Sequence, residues 1–554
     1  MVNIGGTFDT IIIENEIIRI SHLKLFQMKK ITLLCLLLTI LSEAYSQNTF
    51  QKTYGRSGDG ATAVQQTTDG GFIISGNSFN GLYTHIFLIK TNSDGDTLWT
   101  KIYGENFDGF NNEGYSVQQT LDGGFIITGF TNNFKTGSAV YLIKTNAIGE
   151  TLWTRTYGGG IDDVGQSVRQ TLDGGFIILG NTSSFGSGSN GIYLIKTNSN
   201  GNVLWSKTFN GAGGFSVQQT FDGGFIITGQ TSFGAGGVDV YLLKTDSDGI
   251  VLWTKTFGGA SDDRAFSVQQ TEDGGFIIAG ETVSFGADGN CVYLIKTEEN
   301  GTLSWSKTFE NGLAKDVKQT SDRGFIITGQ TGFGAGESDV YLIKTDISGN
   351  MVWSKTFGGM ENDIGNSVVQ TTDGGYVIAG ATASFNSDAG SYRIRNDVYL
   401  IKTDAMGNSG CNGTTPSTVQ TNPLTTQGEP VTAEAIVLTQ VGSFASFTGY
   451  NQPIKTNLCF NAATTRIEET ENSSGLIVYP NPTSGVLQVN YTSNEKNRLI
   501  LNVINSKGQI LYSDTVPQFQ GNYKQFIDLS KHPKGVYFVE IIADKKAVKK
   551  FVLD

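Results

Sequence analysis

A four-residue turn constrains this chain more than any other feature. Asp-Gly-Gly-Phe begins at Asp69, Asp122, Asp173, Asp222 and Asp273, becomes Asp-Arg-Gly-Phe at Asp322 and Asp-Gly-Gly-Tyr at Asp373, and so recurs every 49 to 53 residues. Self-similarity at such a period marks an array of supersecondary units, none of which can bury its faces alone. The fourth copy shows the unit. "FSVQQT" leads through "FDGG" into "FIITGQT", a loop "SFGAGGVD" leads to "VYLLKTD", and "SDG" leads to "VLWTKTF". Short apolar runs with Gly or Asp-Gly between them are hairpin chemistry. The 72 Gly, the 8 Pro and a charged fraction of 16% fit many short strands and not helices.

Four antiparallel strands in about 50 residues make one blade of a β-propeller. "FIIT" is apolar without alternation, as a strand covered on both faces requires. Seven turns predict seven blades. The seventh copy, however, stops after "DVYLIKTD" and has no Trp strand, whereas the other six end on strands carrying Trp99, Trp153, Trp205, Trp253, Trp305 and Trp353. The missing strand is "FQKTYG" at 50–55, where Phe50 stands in the Trp position. It is expected to pair with Val398–Thr403 as the outermost strand of blade 7, tie the ends of the ring together and remove an open edge. "SVQQT" then lines a central channel. The tight turns share one face of the disc, and the variable loops share the other.

The expected fold is therefore all-β: a seven-bladed β-propeller over 47–410, closed by an amino-terminal strand. A small disulfide-closed β module follows over 411–460, then a polar linker over 461–475. A new strand pattern over 476–554 has the size of a β-sandwich. At the other end, the segment from Met28 has a basic start, a 12-residue apolar run from Ile31 to Ser42 and small residues before Gln47. This is the layout of a secretory signal over 28–46, cleaved between Ser46 and Gln47. Residues 1–27 have no place in it and read as an upstream extension. In an exported chain Cys411 and Cys459 can bridge, and the loop they close is worth roughly 4 kcal/mol in the chain-entropy model. Cys291 is expected as a half-buried free thiol.

Function is less legible. A net charge of -12 excludes a nucleic-acid partner and docking on anionic lipid. The three His, at positions 22, 85 and 532, assemble no catalytic triad. Acidic residues recur in the blade-to-blade loops at Asp162, Asp163, Asp262, Asp263 and Asp363. They suit Ca²⁺ or an acid/base pair, and equally the capping of backbone N–H groups in a turn that every blade needs. The pattern requires no cofactor. Blade 7 alone carries the insertion "SFNSDAGSYRIRND", whose Tyr392, Arg393 and Arg395 beside Asp363 suit carbohydrate or carboxylate recognition. A monomeric binding module for a glycan or protein ligand is expected. A hydrolase or lyase acting on polysaccharide is the alternative.

The repeat resembles those of secreted bacterial β-propeller proteins. It is also similar to the quinoprotein repeat, without the Cys pair or metal ligands of that cofactor family. The end of the chain resembles the type A carboxyl-terminal sorting domain of the type IX secretion system of Bacteroidetes. The matching positions are Tyr479, Pro480, Asn481, Pro482 and Gly485, Gly508 in a turn, Asp528, Gly535 with Tyr537, and Lys549. That resemblance implies export across the outer membrane by the type IX machinery. It also implies release, or attachment to surface lipopolysaccharide.

Overall fold

In a computed structural model the described residues are 47–410, pieces of 413–461, and 476–553. Excepted are positions 56–57, 80, 105–109, 135–136, 187–190, 235, 287–288 and 386–395 in the first stretch, and 481–482, 484, 506–509 and 543–545 in the last. The signal segment lies outside the described residues. The chain divides into two units, 1–464 and 465–554.

The first unit is a multi-blade β repeat whose seven four-stranded antiparallel sheets follow the sequence periodicity. Blade 4, for example, runs Gly213–Gln219, Phe225–Thr231, Asp239–Thr245 and Val251–Gly258, from inner to outer strand. Blade 7 takes its fourth strand from the amino end: Thr49–Tyr54 pairs antiparallel with Asp397–Thr403, Phe50 opposite Lys402 and Tyr54 opposite Val398.

Each motif residue has a physical task. In the Asp-Gly-Gly turn of blade 4, a methyl on Gly224 would sit 2.1 Å from the Thr245 carbonyl oxygen, so no side chain fits there. Its neighbour Gly223 has φ +84° and open space around it. That difference explains why blade 6 tolerates Arg323 at the equivalent place, at φ 66°. The turn Asp receives the Lys of "IKT", and all seven pairs, from Lys90–Asp69 to Lys402–Asp373, lie between 2.8 and 3.0 Å. These Lys are almost fully buried, so each needs its partner.

Neighbouring blades are fastened in a fixed way. Trp99 lies over Gly149 of the next blade, 2.8 Å from where its Cβ would be, and the Tyr103 hydroxyl donates to the Gly149 carbonyl (2.6 Å). Phe50 and Tyr54 do the same to Gly95 of blade 1. At the inner strands, the last Gln of each blade accepts a backbone N–H from the preceding blade's turn. Gln119 takes that of Thr68 (2.9 Å), and Gln66 of blade 1 takes that of Thr372 in blade 7 (2.8 Å).

The described pieces of the segment expected as a small module pair with the blades. Gly413–Thr414 pairs with the outer strand of blade 6, Gln420–Thr421 with blade 5, Thr426–Gly428 with blade 4 and Glu434–Ile436 with blade 3. Ile454–Asn461 then covers Thr49–Tyr54 on blade 7. Pieces of two or three residues cannot sustain a sheet among themselves, whereas an exposed outer edge offers each of them ready partners. The amino-terminal strand is thus fourth of five rather than outermost, and Phe50 is fully buried. Cys411 and the side chain of Cys459 lie outside the described residues. Cys291 is buried rather than half-buried, and burial pushes its thiol pKa up.

The second unit is five-stranded: Ile477–Tyr479 and Gly535–Ile542 pair with opposite ends of one long strand, Val486–Asn505. The long strands Val486–Asn505 and Ile510–Asp528 pair on both sides of an interruption between Ser493 and Asn497, where the register shifts. Leu487, Val489, Leu501, Val539 and Ile541 are among the residues of its single core.

Candidate functional site in the axial cavity

The inner strands of all seven blades converge on a cavity of about 520 Å³. Three inner-strand positions per blade matter here, and all but Gln218 and Gln269 line it. The first, at a bulge in the inner strand, holds Thr62, Tyr115, Gln166, Phe215, Phe266, Lys315 and Asn366 in blade order. The second holds Ser in five blades, with Ala63 in blade 1 and Asp316 in blade 6. The third holds Gln65, Gln118, Arg169, Gln218, Gln269, Lys318 and Val369.

The regular members hold the ring together. Gln65, Gln118, Gln218 and Gln269 each accept the backbone N–H of the next blade's last Gln at 2.6 to 2.7 Å. The Ser hydroxyls face the next blade's Val N–H at 3.3 to 3.4 Å.

The irregular members carry the charge. Asp316 accepts Ser267 Oγ (2.8 Å), Val317 N (2.9 Å), Val368 N (3.1 Å) and Ser367 Oγ (3.3 Å), and pairs with Lys318. Arg169 donates through one nitrogen to its neighbour's carbonyl (Val168 O, 2.7 Å) and to Ser116 Oγ (3.3 Å). Burial weakens its charge, and Asp316 partly restores it. Lys315 places its ammonium 4.3 Å from the ring centre of Phe266, and Phe266 packs edge-on against Phe215 at 5.3 Å. Burial lowers the Lys315 pKa, a shift that Glu281 opposes.

The acidic loop residues sit elsewhere, between blades. Asp163, Asp263 and Asp363 are fully buried at the start of inner strands. Each holds the preceding Gly-Gly loop: Asp363 accepts Gly359 N (2.9 Å) and Ser384 Oγ (2.7 Å), and Asp263 accepts Gly259 N (2.8 Å) and Ser284 Oγ (2.7 Å). Asp163 does so through Gly159 N and Ser184 Oγ. Asp162 takes the N–H and hydroxyl of Ser138 (3.0 Å each), and Asp262 takes Val238 N (2.9 Å) and Arg264 (2.8 Å). Asp339 of blade 6 joins Asp363. A methyl on Gly358 would meet both carboxylates, at 1.8 and 2.5 Å, and burial together with the Asp363 charge raises the Asp339 pKa to about 6. Among the described residues no three or more His, Cys, Asp or Glu gather as a metal site. Tyr392, Arg393 and Arg395 lie outside the described residues.

Arg169, Lys315, Asp316 and Lys318 were not among the sequence candidates. Their signal was present: "KDVKQ" of blade 6 stands where blades 4 and 5 have "FSVQQ".

Residues 477–554 match the family described as the secretion system C-terminal sorting domain. The tail is a type IX sorting domain. The protein is exported by that route, to the cell surface or beyond it, and meets the type IX machinery on the way. In the tail, Asp528 accepts Ser530 N (2.9 Å), Gly535 opens the strand to Ile542 and Tyr537 bonds the Pro533 carbonyl, while Lys549 is exposed. Gly508, Asn481 and Pro482 lie outside the described residues. No curated protein matches the chain. Among solved structures it is similar to Chaetomium thermophilum Sqt1, at TM-score 0.36 and 10% identity over 64% of this chain and 98% of that one. It is also similar to a eukaryotic initiation factor, at TM-score 0.27 and 11% identity over 66% of this chain and 100% of that one. Scores this low carry no argument about function.

Proposed function

We propose that the seven sheets form a closed seven-bladed propeller that acts outside the cell as an interaction module, its ligand seated in the axial cavity. The carrying observation is that one strand from every blade lines one small-molecule-sized cavity, and that its charged side chains stand where four of the blades keep a hydrogen bond to the next. The fastening of Gln66 to Thr372 and of Thr49–Tyr54 to blade 7 supports the closure.

The blade 7 insertion with Tyr392, Arg393 and Arg395, and the loop acids Asp162 and Asp262, form a second proposed contact zone on the variable face, on loops that the buried Asp163, Asp263 and Asp363 hold from below. Cys411 and Cys459 are proposed to bridge. In support, Ser409, two residues before Cys411, accepts Gln51 Nε2 at 2.6 Å, and Gln51 is the register partner of Cys459. The sorting domain then delivers the module, to be released or held on surface lipopolysaccharide, its recognition proposed at Tyr479, Gly485, Asp528 and Gly535.

The test is a glycan and peptide array with the full secreted chain, followed by assays for hydrolase and lyase turnover. Binding that is lost when cavity residues are changed supports the module. Turnover of a polysaccharide would replace it with the enzyme reading.

A further inference from the structure

We infer that the axial cavity selects an acidic saccharide, a sugar carrying carboxylate groups, with Lys315 and Arg169 as its anion-binding side chains. This rests on the cavity being the ligand site.

The described lining carries three cations, Arg169, Lys315 and Lys318, against one carboxylate, Asp316, in a chain whose net charge is -12. Asp316 and Lys318 neutralise each other in the wall of blade 6. Two cations remain. Lys315 makes no hydrogen bond or ion pair with another described residue; its ammonium lies on the face of Phe266. Arg169 bonds through one nitrogen only, and its other donors have no acceptor among the described residues. Both side chains are half-buried, and the carboxylates that act on them, Glu281 and Asp316, are already ion-paired with Arg264 and Lys318, so an incoming carboxylate finds two cations only partly compensated.

Stability does not account for these cations. Where blades 1, 2, 4 and 5 use Gln to bond the next blade, blade 7 has Val369, and blades 3 and 6 give that bond up to the charged Arg169 and Lys318. Where blades 4 and 5 put Phe, blade 6 puts Lys315. The rest of the lining suits a sugar: amides and hydroxyls from Gln65, Gln118, Asn366 and Ser216, with aromatic faces at Tyr115 and Phe215. A space of about 520 Å³ matches a short oligosaccharide.

The experiment is calorimetric titration of the full secreted chain with a panel of uronic-acid oligomers, their methyl esters, neutral oligosaccharides and an acidic tetrapeptide. Lys315→Gln and Arg169→Gln variants are titrated alongside. Arg169→Gln installs the residue that sibling blades carry, so the fold tolerates it, and melting curves verify both variants. The expected result is binding of an acidic oligosaccharide, at least tenfold weaker for its methyl ester and for each variant. Equal affinity for acid and ester overturns the inference, and so does failure of every acidic saccharide to bind. A neutral sugar or the acidic peptide bound in its place, and lost in the variants, also overturns it while leaving the cavity as the site. An acidic saccharide bound equally by wild type and both variants shows that the cavity is not the site, and both readings fall.

Discussion

Replacing Phe50 by Ala tests the join between the chain's two ends. The ring is fully buried; it packs against Phe72 of blade 1 at 6.4 Å between centroids and roofs Gly95, whose Cβ would lie 2.6 Å away. Truncating a fully buried Phe typically costs about 3–5 kcal/mol. Here the cavity would open between two blades under the cover of Ile454–Asn461, where little can collapse into it, so we expect a loss of at least ~3 kcal/mol. Leu98→Ala, on an outer strand with the side chain 58% exposed, is the control and should stay within about 0.5 kcal/mol. All six Trp lie in the repeats, so denaturant unfolding of the full chain followed by Trp fluorescence reports the repeat unit and not the tail. The reasoning fails if Phe50→Ala costs no more than Leu98→Ala, because a strand that clamps blade 1 cannot lose its anchor without effect.

The other expectations concern single residues. Gly224→Ala should cost at least ~3 kcal/mol by the same assay, because its methyl strikes a carbonyl, while Gly223→Ala should cost about 1–2 kcal/mol for φ alone; equal costs would refute the turn argument. Asp339 has a folded pKa of about 6, above the unfolded carboxyl, so its charge penalises the fold above pH 6 and the penalty fades as pH falls towards 4. Asp339→Asn should therefore raise the melting temperature at pH 7.5, with the gain vanishing near pH 4; a lower melting temperature at pH 7.5 would contradict this. Asp173, with its Lys196 partner, sits at about 2, below the unfolded carboxyl, so its stabilisation holds above pH 4 and is lost as pH falls towards 2. Asp173→Asn should flatten the fall in melting temperature between pH 4 and 2, and an unchanged slope would count against it. Thiol titration of the denatured, unreduced secreted chain should find one reactive group, Cys291; three would rule out the Cys411–Cys459 bridge.

The fold was legible wherever one residue does the same job seven times. The Asp-Gly-Gly turn, the buried Lys that answers its Asp and the Trp strand could each be read because the repeats average out accident, and Phe50 could be placed because it fills a gap in that pattern. The pairing of the described pieces after Cys411 with the blades could not be read, for a physical reason. A separate module needs strands that pair with each other, and runs such as "STVQT" and "AEAIV" look sufficient in sequence. The competing partner, the outer edge of each blade, cannot be seen locally.

The cavity residues were overlooked because attention went to loops, where length varies. In a ring of repeats, a loop insertion and an in-strand substitution carry different kinds of information. A loop insertion such as 384–397 is cheap, since a loop can lengthen without breaking a strand ladder. A substitution on an inner strand is answerable to the next blade. Arg169 forfeits the Gln bond that Gln118 makes to Gln170, and Lys318 forfeits the one Gln269 makes to Gln319. Asp316 replaces a hydroxyl with a buried charge that needs four hydrogen bonds and a Lys to keep it. Such changes weaken the ring at every occurrence, so a random scatter of them would be selected against. Blade 6 nonetheless holds three charged residues in four positions, all facing the cavity, and blade 3 adds a fourth. A seven-fold scaffold can present a one-fold ligand with distinct contacts only where its symmetry is broken, and the inner strands of blades 3 and 6 are where that break costs the most.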